Sequence, residues 1–334
     1  MKRHVRNLGL LAVGGAMIWG AGAASAQQVR WRASGLFPAN HSTSIAMETF
    51  KSEVARLSKS TIQIDLFPGN ILGGGFEQVD QLRTNQIQMA WAGLSFYDKL
   101  LPDLGAVSLP FAATSANQAI CQIEGDLGRH IEDRMSEKGV LLLGWAQIGA
   151  RHVTNNRRPI RKVEDLRGLK IRTPSGDAWT LTFRAVGANP TPIDISELYP
   201  ALQQGVVDGQ ENPYDNMLVR KFYQVQKYLS NTAHFYDWAG YLANKAAFDS
   251  LKPDQQKAVR DAMFSAVAIQ RAISERENRT SLQGLIKGGM QYDALSPEEI
   301  GKFREATRPV YAEMRRRLGD EVMNLAEAAI KECR

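Results

Sequence analysis

The chain has 334 residues, 44% hydrophobic and 23% charged, with a formal net charge of +6 and only two cysteines. No internal repeat, low-complexity tract or disordered linker interrupts it. The charge gives no support to a nucleic-acid partner, because the basic runs Arg157-Arg158 and Arg315-Arg316-Arg317 are short, the first closing on a proline and the second lying in a helical pattern.

Residues 1–26 have a basic start (Lys2, Arg3, Arg6), an apolar run from Leu8 to about Ala21 and a small-residue end, Ala24-Ser25-Ala26. This reads as a secretory signal peptide cleaved before Gln27. The alternative, a retained anchor, fits less well, since a spanning helix needs roughly 20 apolar residues. Removing three basic and no acidic residues takes the charge from +6 to +3 over residues 27–334. The mature chain is expected outside the cytoplasm, in the periplasm of a Gram-negative cell. Cys121 and Cys333 could form one disulfide in that oxidising compartment, a pairing the sequence leaves open. Neither has metal-ligand spacing to a histidine, so no zinc site is expected.

The mature length exceeds what one compact core usually carries and suggests two lobes. Val29–Ala33 and Ile62–Phe67 read as strands, and Thr43–Leu57 between them carries Ile45, Phe50, Val54 and Leu57 at helical spacing, an α/β order. A second such set begins near Leu166: a strand over Leu169–Arg172 stopped by Pro174, then a helix from about Gly176 to Val186. Ser196 heads a short helix to about Gln204, with Gly205 as its stop. Val206-Val207 reads as the next strand, and Asp208-Gly209 as a turn. After Pro253 a long helix runs to about Ile286, with Val259, Ala262, Ala266, Ile269 and Ile273 on one stripe. Ser296-Pro-Glu-Glu299 has the form of a capping box.

The segment Tyr199-Pro-Ala-Leu-Gln-Gln-Gly-Val-Val-Asp-Gly-Gln-Glu-Asn-Pro213 resembles the signature of TRAP-transporter solute-binding proteins. Gly168-Leu-Lys-Ile-Arg-Thr-Pro174, Gly187-Ala-Asn-Pro-Thr-Pro192 and Tyr223-Gln-Val-Gln-Lys-Tyr228 stand around it in the order that family shows, with looser matches at Gly69–Gly73 and Leu109–Phe111. The stretch Lys59-Ser-Thr61 departs from the pattern, where relatives often carry a glycine-containing turn.

The resemblance implies a two-lobed α/β periplasmic binding protein fold with several hinge crossings and a long C-terminal helix bracing both lobes. Lobe I would be residues 27–148, completed by about 237–275. Lobe II would be 149–236, completed by the C-terminal helices to 334. It implies capture of a small organic acid by lobe closure and delivery to TRAP membrane subunits, by a chain expected to be a monomer, without cofactor or nucleic acid.

An organic acid must exchange water for fixed donors, and arginine's planar fork suits a carboxylate. By resemblance, Arg172 makes the principal salt bridge to the ligand, Arg151 supports it, Asn212 faces it and His234 lies near the cleft. Ser175 could add a hydroxyl contact, as could Ser34. Trp91, Trp179 and Trp238 fall near the cleft, although aromatics at such positions belong to a core more often than to a pocket. Two other readings remain. A ligand sensor feeding a receptor would use the same pocket. An exported hydrolase would need motifs that are missing: there is no Gly-x-Ser-x-Gly elbow and no His-Glu-x-x-His helix. No Gly-Lys-Ser/Thr phosphate loop is present either, so no ATP site is expected.

Overall fold

A computed structural model describes residues 28–333, and the expected signal peptide lies outside them. The chain opens with β1 (Val29–Gly35), α1 (Ser42–Leu57), β2 (Ile62–Phe67), α2 (Gly75–Arg83) and β3 (Met89–Gly93). Two helices, α3 (Ala116–Glu124) and α4 (Asp126–Glu137), precede β4 (Val140–Ala150) and β5 (His152–Asn155). Then come β6 (Lys170–Thr173), α5 (Asp177–Ala185), β7 (Asn189–Pro192), α6 (Ile195–Gln203), β8 (Gly209–Asn212), α7 (Tyr214–Val219), β9 (Tyr228–Ser230) and β10 (Tyr236–Asn244). The C-terminal part holds α8 (Lys245–Asp249), α9 (Pro253–Lys287), β11 (Gln291–Asp293), α10 (Pro297–Thr307), α11 (Pro309–Leu318) and α12 (Asp320–Glu332).

The strands make two sheets, one to a lobe. The first has the order β2-β1-β3-β10-β4, with β1 parallel to β2 and β3, and β10 antiparallel to β3 and β4. The second has the order β11-β9-β5-β8-β6-β7. Alternation in β1 and β2 turns Trp31, Ala33, Ile62 and Ile64 inward, where they pack with Phe50, Trp91, Tyr241 and Phe248 against α1 and α9. Each large side chain so buried contributes about 1.5–3 kcal/mol.

Two chain crossings between the lobes lie side by side. One is Arg151, between β4 and β5; the other is the approach to β10, where the Arg151 amide donates to Phe235 O at 2.9 Å and Tyr236 pairs with Ala150. Helix α9 packs on α1 and β4 of the first lobe and on α7 of the second. Cys121 of α3 and Cys333, just past α12, form a disulfide with a Cα separation of 5.8 Å.

Local expectations need correction at several points. Val206-Val207 is not a strand: Val206 is exposed in a bend and β8 begins at Gly209. A Cβ at Gly209 would sit 2.1 Å from Thr154 O, so only glycine lets β8 approach β5. Ser196 does not cap α6; Asp194 does, accepting from the Ser196 amide at 3.0 Å.

The buried stripe of α9 also leaves the expected line. Val259, Ala262 and Ala266 are buried, but Ile269 is exposed and the stripe continues through Gln270 and Ser274. The reason is that β4 is the edge strand of its sheet, so the outward-facing amide and carbonyl of Gln147 have no strand to pair with, beside a bulge where pairing with β10 skips Ile148. Gln270 takes the place of a missing ladder partner: it accepts from the Gln147 amide at 3.0 Å and donates to Gln147 O at 2.7 Å, with Ser274 donating to the same oxygen at 2.9 Å. At Ser296 half of the expected box forms: its hydroxyl accepts from the Glu299 amide at 3.2 Å, while the Glu299 carboxylate turns to Lys302.

Candidate functional site

The bulge beside Gln147 sends Ile148 into the cleft between the lobes. Gly149 follows at φ +121°, with a Cβ position 2.6 Å from the Asn278 amide. Together they aim Arg151 at the hinge. Its guanidinium donates to Glu211 Oε1 at 2.7 Å, to Glu211 O at 2.6 Å and to the Asp237 carboxylate, joining a β8 residue of one lobe to a β10 residue of the other. Burial alone would depress this guanidinium, yet the charges of Glu211 and Asp237 outweigh it and hold its pKa above the ordinary value. Its charge is therefore answered within the protein.

His234 belongs to the same cluster. Its Nε2 meets Glu211 Oε2 at 3.1 Å and its Nδ1 meets Thr232 Oγ1 at 2.8 Å. Burial pushes its pKa down, opposed by the hydrogen bond to Glu211, and Phe183 and Phe235 stand edge-on to the ring.

Arg172 differs. It is the penultimate residue of β6, followed by Thr173 and Pro174, at the carboxyl edge of the sheet where ligands of α/β lobes tend to sit. The Ile193 carbonyl accepts from its Nε at 2.8 Å, and its Nη2 is buried with no hydrogen-bond partner. Desolvation pulls its pKa down to about 9, opposed chiefly by Glu211. Arg220 stands with it: Nε donates to Asn216 Oδ1 at 2.8 Å and Nη2 to Leu36 O in the first lobe at 2.6 Å, and burial pushes its pKa down to about 10. Neither arginine forms an ion pair with a carboxylate among the described residues.

From Arg220 a chain of amides runs into the second lobe. Asn216 donates to Asn212 at 2.7 Å, Asn212 to Gln210 at 2.5 Å, and Gln210 to Thr154 at 2.9 Å. Asn212, Asn216 and Arg220 are spaced by four residues, one per helical turn, a signal that sequence reading could have used to find Asn216 and Arg220 but missed. Ser95, Asp237, Phe37 and Phe96 also line the cleft and carried no such signal.

Of the residues expected in the site, the structure thus gathers Arg172, Arg151 and Asn212 around one space of about 30 Å³ between the lobes. His234 lies behind it, separated by Glu211. Trp91 points into the first lobe's core, where its indole donates to Ser44 Oγ at 3.0 Å in room that Gly35 leaves by having no side chain. Ser175 lies outside the lining and donates to Ser95 O at 2.7 Å, one lobe to the other. Ser34 accepts from Gln78 at 3.0 Å, Trp179 packs on Phe235, and Trp238 packs on Trp145.

Residues 33–317 match the family model described as bacterial extracellular solute-binding protein, family 7. A solute-binding protein of Verminephrobacter eiseniae is 30% identical over 324 residues, 97% of this chain and 96% of that one. The 2,3-diketo-L-gulonate-binding periplasmic protein YiaO of Escherichia coli is 30% identical over 247 residues, 74% and 75% of the two chains. Among solved structures, the sugar acid binding protein DctPAm of Advenella mimigardefordensis, in complex with galactonate, superposes with a TM-score of 0.89 at 28% identity, covering 92% of this chain and 99% of its own.

Proposed function

The chain belongs to the bacterial extracellular solute-binding proteins of family 7, and from that premise we propose that it captures its solute by closing two lobes on a carboxylate held by Arg172, with Arg220 beside it. The family consists of solute-binding components of TRAP transporters, and the chain is a binding protein and not an enzyme. No helix among the described residues is long and apolar enough to cross a membrane.

The observation that carries the assignment of Arg172 is its buried, partnerless Nη2 on a residue that lines the cavity between the lobes. Burying a guanidinium without an anion is unfavourable, and a ligand carboxylate gives it two parallel hydrogen bonds. Arg151 contributes shape to the cavity and rigidity at the hinge, and its charge stays with Glu211 and Asp237. Asn212 and Asn216 fix the position of Arg220 and can each offer one remaining amide hydrogen to the ligand. Closure is favoured because both lobes contribute to the lining. We place the mature protein in the periplasm as a monomer that hands its ligand to the TRAP membrane subunits.

Thermal shift of the purified mature chain against small organic acids tests this reading. A ligand at 100 times its dissociation constant should add about 2.7 kcal/mol of stability. A panel of carboxylates that raises no melting temperature, in protein shown by mass spectrometry to carry no ligand, would contradict it.

A further inference from the structure

The lining of the cavity bears on what kind of acid it takes. Its charged groups are the guanidiniums of Arg151, Arg172 and Arg220 and the carboxylates of Asp237 in the lining, Glu211 behind it and Asp194, which acts on both Arg172 and Arg220. One buried guanidinium nitrogen of the lining, Arg172 Nη2, lacks a partner, and one ligand carboxylate answers it. A second carboxylate would find no further buried, partnerless guanidinium nitrogen among the described lining residues, and leaving it unanswered is costly.

The polar groups that could meet ligand hydroxyls are mostly spent. Asn212 and Asn216 are bonded to each other, to Gln210 and to Arg220. The oxygens of Asp237 are engaged by Arg151 and by the Trp238 amide. What remains is one amide hydrogen on each asparagine and the Ser95 hydroxyl, enough for one or two ligand oxygens beyond the carboxylate. The rest of the lining is apolar: Leu36, Phe37, Phe96, Ile148, Pro174 and Ile195. A hydroxyl buried against such side chains without a partner loses its hydration for nothing in return.

We infer that the cavity selects a short monocarboxylic acid with an apolar, branched tail and at most one oxygen substituent near the carboxylate, as in a branched 2-oxo or 2-hydroxy acid, in preference to polyhydroxylated sugar acids and to dicarboxylates. This rests on the carboxylate capture proposed above. It separates the chain from its galactonate-bound structural relative.

Calorimetric titration of the full mature chain, stripped of carried-over ligand, with 3-methyl-2-oxobutanoate, galactonate and succinate decides the matter. The expected result is binding of the branched 2-oxo acid about tenfold or more tighter than either of the others. Equal or tighter binding of galactonate or succinate overturns the inference and leaves carboxylate capture standing. Silence with all three and with a wider carboxylate panel overturns both. In the first case Ile148→Ser should narrow the gap between the 2-oxo acid and galactonate; an unchanged ratio in a folded variant would remove the apolar lining as its cause and overturn the inference.

Discussion

Asp194 in the second lobe accepts a hydrogen bond from the backbone amide of Gly75 in the first, at 2.7 Å. The same carboxylate caps its own helix α6 through the Ser196 amide, so one side chain serves two helix N-termini on opposite sides of the cleft. The residue before the start of α2, Gly74, has no side chain to cap it. Asp194 follows Ile193, whose carbonyl holds Arg172. The carbonyl that holds Arg172, the arginine proposed to meet the ligand, and the link between lobes are thus neighbours on one short segment.

Asp194→Ala should therefore weaken ligand binding mainly through faster dissociation, since the Gly75 link exists only when the lobes are closed. A hydrogen bond to a charged acceptor contributes ~1.5–3 kcal/mol, which corresponds to a loss of about tenfold or more. Loss of the α6 cap should lower unfolding stability by ~0.5–2 kcal/mol. Stopped-flow dissociation and thermal melting separate the two effects. An unchanged dissociation rate would show that the link does not hold the closed state.

A second contact between the lobes is titratable. His41 at the start of α1 places Nε2 at 3.4 Å from Asp215 Oδ2; both side chains are fully buried, and neither atom has a hydrogen-bond partner. Because the Thr43 amide donates to His41 Nδ1, the ring proton sits on Nε2 and faces the carboxylate. Burial pushes Asp215 up from 3.8 to about 7, with Glu277 and Asp237 adding to the rise, and pushes His41 down to about 3, with Arg220 contributing. A carboxyl whose folded pKa is raised binds more protons folded than unfolded, so its contribution to stability falls as pH rises from about 4 to about 7. His41 works in the opposite direction over part of that range, so the test is a difference. Asp215→Asn should gain stability relative to wild type as pH climbs from 4 to 7 and hold the gain above. Denaturant unfolding at a series of pH values measures it, and a flat difference would contradict the assignment.

The Cys121–Cys333 bond closes a span of 212 residues and ties the end of α12 to α3. Chain-entropy reasoning gives about 5 kcal/mol for so long a loop, and measured bridges commonly give ~2–4 kcal/mol. Reduction under native conditions should lower the melting temperature by several degrees. A melting curve indifferent to reductant would mean that α12 is held by packing alone.

Much of this fold was legible from local pattern. The alternation in Val29–Ala33 and Ile62–Phe67 and the strand Leu169–Arg172 before Pro174 placed three strands, and motif position placed Arg172 and Asn212 near one another. What stayed hidden depends on contacts across long sequence distances. Arg220 is defined as a cleft residue by Leu36, 184 positions away, and Gln270 is buried because it meets the edge-strand backbone of Gln147, 123 positions earlier. The charge of Arg151 could be read from the sequence, while its two carboxylate partners, 60 and 86 residues on, could not. Trp91 was near the cleft in sequence, but strand alternation turns it to the other face of β3.

The central claim is that Arg172 holds the ligand carboxylate, and calorimetric titration of Arg172→Ala beside wild type, with an acid that wild type binds, tests it most directly. Removing one partner of a buried ion pair costs ~3–5 kcal/mol, so affinity should fall about a hundredfold or more while the melting temperature of the ligand-free variant stays level or rises, an unpaired buried charge having been removed. A folded variant that binds the acid with wild-type affinity would contradict the account.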